Sequence, residues 1–215
     1  MNIKISKEEF DYIIKLECER HVVGSRLYGS NSEKSDTDIL IIYKSFHGGS
    51  DLYYPNFHQF QYDDIENNVQ YIFTSYEQFY RNMFSGDSTI NVDVILFSSG
   101  GVSDMVYSDK LNMCRTYNII KSYIGFARRD LKMIKRGKNK LFHIERGLYC
   151  ARKLISGELP MLCDFNNFGN MDIDDLRRLE VELRGECNFL LDSGDLTLFP
   201  KRYILGSFIN SLEEK

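Results

Sequence analysis

Two aspartates one residue apart open an apolar, β-branched segment in the first quarter of the chain. Asp36 and Asp38 lead into Ile39-Leu40-Ile41-Ile42, a run that is typical of a buried β-strand. Residues two apart on a strand point to the same face, so this spacing predicts that the two carboxylates stand side by side. Like charges so close repel each other, and a divalent cation between them removes that penalty. Carboxylates together with substrate phosphates are the usual ligands of Mg²⁺, so the pair is a candidate metal site.

A turn of small residues precedes the aspartates. Gly24 and Ser25 begin the segment Gly24-Ser25-Arg26-Leu27-Tyr28-Gly29, and Ser35-Asp36-Thr37-Asp38 follows after five residues. Backbone N–H groups in turns of this kind can surround phosphate oxygens. The turn is therefore a candidate phosphate-binding site beside a candidate metal site, and together the two could bind a metal-bound phosphate compound.

The elements that must position these residues are predicted from hydrophobic periodicity and turn residues. Ser6 and Glu9 have the spacing of a capping box, which predicts a helix over residues 7–20. Beyond it the sequence predicts a strand at 21–23, a short helix or loop at 27–32, a strand at 37–43, a loop or hairpin at 44–60, a strand at 62–74 and a helix at 75–84. Residues 92–97 are either a further strand or a short buried helix.

The second half of the chain is expected to be helical, because its apolar residues recur at three- and four-residue spacing. The predicted helices cover 113–136 and 141–156, a third begins after a cap at Asp172, and a short one covers 201–212. Ser98-Ser99-Gly100-Gly101 marks a boundary between the halves. We therefore expect an α+β domain at 1–104 and a helical domain at 105–215.

The composition is that of a globular chain rather than a disordered one, because 43% of the residues are hydrophobic and 13% are aromatic. Five scattered cysteines without a C-x-x-C pair indicate a reduced, intracellular chain. The N-terminus lacks the apolar region of a signal peptide, and no apolar run approaches the length of a membrane span. We expect a cytoplasmic protein with no membrane partner.

Charge is distributed unevenly along the chain. Residues 1–110 carry 9 Lys and Arg against 17 Asp and Glu, whereas residues 111–215 carry 18 against 14. An acidic half that gathers cations, joined to a basic half that meets phosphates, fits a phosphate-handling enzyme. The same asymmetry fits two halves that attract each other, so charge alone leaves both interpretations open.

The order of helix, strand, G-S-x-x-x-G turn and S-D-x-D strand resembles the nucleotidyltransferase superfamily of the DNA polymerase β type. The turn G-S-R-x-x-G followed closely by S-D-x-D is most similar to the predicted nucleotidyltransferases of the RNA repair pathway, the RlaP and YcgL-like group. The similarity continues through 79–86, 92–96 and the segment that contains His143 and Arg146. It touches most of residues 20–160.

This resemblance implies an α+β nucleotidyltransferase fold with a mixed β-sheet, flanking helices and a helical C-terminal domain. It implies transfer of a nucleoside monophosphate from an NTP such as ATP to a hydroxyl, with a tRNA-like RNA end as the favoured acceptor and a protein or small molecule as the alternative. Two Mg²⁺ ions, or Mn²⁺ in their place, would bind Asp36 and Asp38 and clamp the attacking and leaving oxygens. Gly24 and Ser25 would hold the β- and γ-phosphates, and Arg26 would neutralise their charge.

Enzymes of this superfamily use a third carboxylate on a neighbouring strand, which holds the catalytic metal and helps to deprotonate the acceptor. Alignment on the following helix brings that position to Gln70, whose amide cannot act as a general base. Asp64 and Glu66 lie an even number of residues from Gln70, so they would share its strand face. Either could supply the missing carboxylate after a register change or a bulge. Asp93, which lies between two valines, is the other substitute and is taken as the third catalytic acid. A degenerate chain that binds nucleotide or RNA without turnover is the competing expectation.

The remaining ligand-binding candidates each have a structural alternative. Arg26 suits an exposed ion pair as well as a phosphate contact, and Ser35 is a turn residue that could also face the ligand. Arg146 or His143 could reach the nucleotide or belong to an exposed basic helix face. The basic run at 128–140 is either a solvated surface or a stripe that binds RNA or triphosphate.

Overall fold

The computed structural model describes residues 3–15, 17–33, 35–44, 60–134 and 140–198. These residues form two compact units, one ending at Asn82 and the other beginning at Met83. The division falls inside a helix, α3 (Tyr76–Ser85), and so precedes the predicted domain boundary at 104–105. The predicted helix at 201–212 and most of the predicted loop at 44–60 lie outside the described residues.

The first unit contains a five-stranded mixed sheet with the order β1-β4-β5-β3-β2. The strands are β1 (Ile3–Lys4), β2 (Cys18–Val23), β3 (Thr37–Tyr43), β4 (Phe60–Asp64) and β5 (Val69–Ser75). Strand β3 runs antiparallel to β2 and parallel to β5, so it lies inside the sheet. The predicted strand at 37–43 and the mixed α+β organisation are both confirmed.

One face of this sheet is covered by helix α1 (Lys7–Ile13), which begins with the predicted capping box of Ser6 and Glu9. Phe10 and Ile13 of the helix form a core with Ile41, Tyr43, Phe60 and Phe73 of the strands. Because successive strand residues alternate between faces, Ile41 points toward α1 and Asp38 points to the opposite face. The helix ends at Ile13 rather than at residue 20, since Cys18–Val23 is a strand that pairs with residues 38–43 of β3.

The segment predicted as one strand at 62–74 is a β-hairpin. Strands β4 and β5 are antiparallel, and residues 65–68 form the turn between them, where Asn68 has a φ of 52°. Asp64 pairs with Val69, whereas Asp63 pairs with Gln70. The expectation that Asp64 shares the face of Gln70 is therefore wrong, because the turn reverses the chain and shifts the parity. The Asp64 carboxylate instead accepts hydrogen bonds from Asn67.

The second unit is helical in its described part. It contains α4 (Thr89–Phe97), α5 (Tyr107–Cys114), α6 (Tyr117–Ile134), α7 (Leu141–Ile155) and α8 (Ile173–Asp192). Segment 92–97 is thus helical, and the cap of the third predicted helix at Asp172 is confirmed. The helix predicted at 113–136 is broken at Arg115, whose backbone leaves the helical region and whose side chain binds the carbonyl oxygens of Leu154 and Asp195.

None of the described helices combines the length and the apolar character that crossing a membrane would require.

Candidate metal and nucleotide site

Asp38 is the second residue of β3 and lies between two neighbouring strands. It pairs with Val23 of β2 on one side and with Gln70 of β5 on the other. The next four residues of β3 after Ile39 are buried, so the apolar run fixes the strand and leaves the carboxylate half-buried at its start. Asp36 precedes the strand and is exposed.

Gly24 lies directly against the Asp38 carboxylate. It follows the last residue of β2 and opens α2 (Gly24–Leu27), with a φ of +67° that L side chains rarely adopt. A Cβ at this position would lie 2.3 Å from Asp38 Oδ2, far inside van der Waals contact. Both the backbone conformation and the packing therefore require glycine at position 24. The pairing of Val23 with Asp38 explains the proximity, because it brings the end of β2 beside the start of β3.

The electrostatics of the pair disfavour two free charges. Burial raises the pKa of the Asp38 carboxyl above its usual range, and the neighbouring charge of Asp36 adds to this rise. A proton or a bound cation at Asp38 relieves both effects. The ionised pair therefore favours the binding of a positively charged ligand.

Arg26 fixes the loop that carries Asp36. Its Nε donates to the carbonyl oxygen of Asp36 at 3.2 Å, and its Nη2 donates to that of Ser35 at 2.9 Å. The Ser35 hydroxyl in turn accepts a hydrogen bond from the backbone of Ser32 at 2.9 Å. Arg26 thus binds two backbone carbonyl oxygens of the loop, and Ser35 is a turn residue within it; contact of either residue with a ligand stays a prediction. Ser25 keeps its hydroxyl unbound to any described residue, while its carbonyl accepts from the Ser30 backbone.

The strand position beside Asp38 holds an amide and not a carboxylate. Gln70 pairs with Asp38, and its Nε2 donates to Asp63 Oδ1 on β4 at 3.3 Å. Asp63 also accepts from Lys4 at 2.7 Å and from Gln61 at 2.6 Å, and these hydrogen bonds, the one from Lys4 first, lower the pKa of its carboxyl. Asp38, Gln70 and Asp63 therefore form a row across three strands on one sheet face. Asp63 is missed by sequence reasoning, because finding it requires the turn at Asn68 to be recognised.

Asp93 and Arg146 form a buried pair within the helical unit. Arg146 Nη1 donates to Asp93 Oδ2 at 2.9 Å, and the Tyr123 hydroxyl donates to Oδ1 at 2.6 Å. All three side chains are buried, and Arg146 also lies over the Phe126 ring. Burial, followed by the charge of Asp93, raises the pKa of Tyr123 well above its ordinary value. Asp93 and Arg146 thus bind each other, and their predicted roles in metal and nucleotide binding remain predictions.

The other basic candidates are half-buried or paired. Burial, with a smaller effect from the charge of Arg146, lowers the pKa of His143, so this imidazole is neutral near pH 7. Arg129 and Lys140 both approach the buried carboxylate of Asp130. Residues 135–139 of the basic run lie outside the described residues. Arg128 faces Glu180 of α8 with 3.9 Å between Nε and Oε1.

The residues of the first site fit a divalent cation. The charge of Asp36 is close enough to raise the pKa of the Asp38 carboxyl. Gly24 has no side chain and so leaves space beside the Asp38 carboxylate. No group of three or more His, Cys, Asp or Glu side chains with metal-binding geometry occurs among the described residues. Two carboxylates supplemented by substrate phosphates and water are a common ligand set for Mg²⁺.

No protein-family model, no curated protein and no solved structure matches this chain. Its function is therefore inferred from its own residues.

Proposed function

We propose that this chain is a divalent-cation-dependent nucleotidyltransferase that moves a nucleoside monophosphate from an NTP to a hydroxyl, with an RNA end as the favoured acceptor. The observation that carries this proposal is the approach of Gly24 to Asp38. The phosphate-type turn and the carboxylate pair come from separate sequence motifs, and a Cβ at residue 24 would lie 2.3 Å from Asp38 Oδ2. The two motifs therefore lie side by side, which supports the proposal that they form one site.

In this proposal Asp36 and Asp38 hold Mg²⁺, and the turn at Gly24 and Ser25 offers backbone N–H groups to the β- and γ-phosphates. Mg²⁺, when bound, supplies positive charge that offsets the two carboxylates and the triphosphate. Arg26 contributes by binding the backbone carbonyl oxygen of Asp36 and so restricting where the Asp36 carboxylate lies. Its guanidinium therefore acts as a positioning group for the loop, and its predicted contact with phosphate stays a prediction.

The transfer itself exchanges one phosphorus–oxygen bond for another. The acceptor hydroxyl oxygen bonds to the α-phosphorus, the bond to the α,β-bridging oxygen breaks, and pyrophosphate leaves with that electron pair. The acceptor proton passes to solvent, since Gln70, the residue beside Asp38, carries an amide that cannot act as a base. Asp93 is not assigned this proton, because both of its oxygens accept hydrogen bonds within the helical unit.

Incubation with α-labelled NTPs, Mg²⁺ or Mn²⁺, and RNA or protein acceptors tests the proposal. We expect label on a hydroxyl of an RNA acceptor and equal release of pyrophosphate. Asp36→Asn and Asp38→Asn should each abolish transfer, whereas Asp11→Asn, which changes an exposed acid on α1, should not. Transfer that persists in both site variants would rule out the assignment.

A second candidate function is favoured by Gln70. An amide at the strand position beside Asp38 suits a module that binds a metal-bound nucleotide without turnover. In that case no label moves to any acceptor, yet NTP with Mg²⁺ still raises the unfolding temperature of the wild-type chain and not of Asp38→Asn. Gln70→Glu or Gln70→Asp would then be expected to introduce turnover.

A further inference from the structure

A groove of about 310 Å³ lies between α6 and α8, entirely within the helical unit. Its volume is at the lower end of the range of small-molecule sites. Helix α6 contributes Tyr117, Lys121 and Arg128 to its lining, and α8 contributes Glu180 and Arg184. The groove thus combines three cationic side chains with one carboxylate.

Glu180 is the polar group that points to a ligand. Its side chain is only 8% exposed, and Oε1 accepts no hydrogen bond from any described residue. The Nε atoms of Arg128 and Arg184 lie 3.9 Å and 3.7 Å from Oε1, which is beyond hydrogen-bond distance. Both arginines lie within ion-pair distance and offset the charge of the carboxylate, but a buried acceptor that lacks a hydrogen-bond donor still costs free energy. Glu180 lines the groove, so its carboxylate can accept a hydrogen bond from a molecule bound there.

Gly125 provides the space in the groove. It lies on α6 between Lys121 and Arg128, at four- and three-residue spacing, so the three residues share one helical face. A Cβ built at Gly125 meets nothing within 4 Å. Glycine in a helix interior costs about 1 kcal/mol relative to alanine. The absence of a side chain here keeps the wall of the groove open between two cations.

The charges select the chemistry of the ligand. Three cations against one carboxylate attract an anion and disfavour an amine as the donor to Glu180. A neutral hydroxyl can donate to Glu180 while a phosphate on the same molecule reaches Lys121 and the two arginines. Burial raises the pKa of Cys187, which also lines the groove, to about 11, so its thiol is protonated at neutral pH.

We propose that this groove binds a phosphorylated sugar, with a sugar hydroxyl on Glu180 and the phosphate on Lys121, Arg128 and Arg184. The site uses none of the residues assigned to nucleotidyl transfer and goes beyond that proposed function. A free sugar phosphate and the sugar-phosphate backbone of RNA are two sources of the same chemistry.

Calorimetric titration of the full chain in EDTA tests the proposal, since EDTA prevents metal-dependent phosphate binding at Asp36 and Asp38. The probes are ribose 5-phosphate, ribose, inorganic phosphate and a short single-stranded RNA. We expect ribose 5-phosphate or the RNA to bind more tightly than ribose or phosphate alone. Binding of ribose 5-phosphate identifies a free metabolite as a sufficient source, and binding of the RNA alone identifies the polymer.

Two variants localise the binding. Gly125→Leu fills the groove without displacing a neighbour of its Cβ, and we expect it to weaken binding by about tenfold or more, because its side chain occupies the space between Lys121 and Arg128. Gly185→Leu is the matched control, because Gly185 is an exposed glycine of α8 with equally open surroundings and does not line the groove. Glu180→Gln should lower the preference for ribose 5-phosphate over inorganic phosphate.

Equal affinities of the wild type and Gly125→Leu for the bound probe would overturn the proposal, as would an absence of binding by all four probes. Either outcome leaves nucleotidyl transfer untouched, because that activity is measured with Mg²⁺ and on other residues. Loss of transfer in Asp38→Asn with sugar-phosphate binding retained would likewise separate the two sites.

Discussion

Gly24 and Asp38 constrain each other more tightly than their separation in sequence indicates. The sequence predicts a turn and a strand, and the structure adds that the Asp38 carboxylate occupies the position where a Cβ of residue 24 would lie. Glycine is thus needed at position 24 for two independent reasons, its positive φ and the carboxylate.

Gly24→Ala and Gly29→Ala separate these two reasons. Both glycines have a positive φ, +67° and +69°, so each alanine variant should lose about 1–2 kcal/mol from backbone strain. Only the Gly24 substitution displaces Asp38, since a Cβ at Gly29 meets nothing within 4 Å. We therefore expect Gly24→Ala to lose more stability in urea unfolding and to abolish Mg²⁺-dependent NTP binding. Equal effects of the two variants would contradict the close packing.

Asp38 should make the stability of the fold depend on pH. Burial and the charge of Asp36 raise its pKa in the folded state above 3.8, the ordinary value, so the folded protein holds this proton more tightly than the unfolded chain. The resulting stability is fully present below pH 3.8 and is lost as the pH rises through the raised pKa. Ionised Asp38 therefore destabilises the fold at neutral pH.

Asp38→Asn should accordingly unfold at a higher temperature than the wild type at pH 7 in EDTA. The difference should shrink as the pH falls through the raised pKa of Asp38 and should be gone below pH 3.8, and Mg²⁺ should stabilise the wild type alone. Thermal unfolding followed by circular dichroism across this pH range measures both effects. A variant less stable than the wild type at pH 7 would show that the ionised carboxylate is not under strain.

Three helices are joined at Asp93, and the sequence only partly reveals this. An acid between two valines marks a buried carboxylate, but its partners, Tyr123 on α6 and Arg146 on α7, come from distant positions. Periodicity places Arg146 on a helix without indicating that it is 3% exposed. Which residues pair in the core depends on tertiary packing. The same sequence pattern is therefore compatible with an exposed basic helix face and with a buried ion pair.

Removing one partner of this pair should be costly. Arg146→Met leaves Asp93 as a buried charge without its ion pair, and we expect a loss of about 3–5 kcal/mol in the free energy of unfolding. Arg152→Met is the control on the same helix, because its pair with Glu182 is exposed and should contribute no more than about 1 kcal/mol. Replacing Asp93 and Arg146 together by leucine should recover part of the loss. Similar losses for Arg146→Met and Arg152→Met would contradict a buried structural pair.

The hairpin and the helix break show where local patterns stop being sufficient. Residues 62–74 alternate well enough for one strand, and the reversal depends on Asn68 adopting a positive φ, which asparagine does more readily than most residues. Likewise, the apolar pattern across 113–136 is helical on both sides of Arg115. The break is stabilised by hydrogen bonds from the Arg115 side chain to carbonyl oxygens of remote segments. No local sequence pattern predicts these bonds.

The sequence contains two signals from which the groove between α6 and α8 can be predicted. Glu180 lies at helical spacing between Leu176 and Leu183, inside the apolar stripe of α8, and all three side chains are buried. An acid in such a stripe predicts a buried carboxylate that needs donors. Gly125 in the middle of a strongly periodic helix is the corresponding signal on α6.

Across the whole chain, the candidate site residues divide between the two units. Gly24, Asp36 and Asp38 belong to the sheet unit, whereas Asp93, Arg146 and the groove belong to the helical unit. The strand that carries Asp38 was predicted with its exact bounds, because a buried apolar run leaves little freedom. The acid beside Gln70, Asp63, was not predicted, because its place could be assigned only once the hairpin register was known.

Binding of Mn²⁺ in the presence of an NTP, followed by electron paramagnetic resonance, tests the central claim most directly. We expect the wild type to bind Mn²⁺ more tightly when NTP is present, because the phosphates complete the ligand set of Asp36 and Asp38. Asp64→Asn should behave like the wild type, since Asp64 lies on the opposite sheet face from Asp38. The double variant Asp36→Asn with Asp38→Asn should lose NTP-dependent Mn²⁺ binding. Unchanged binding in that double variant would contradict a metal and nucleotide site at these carboxylates.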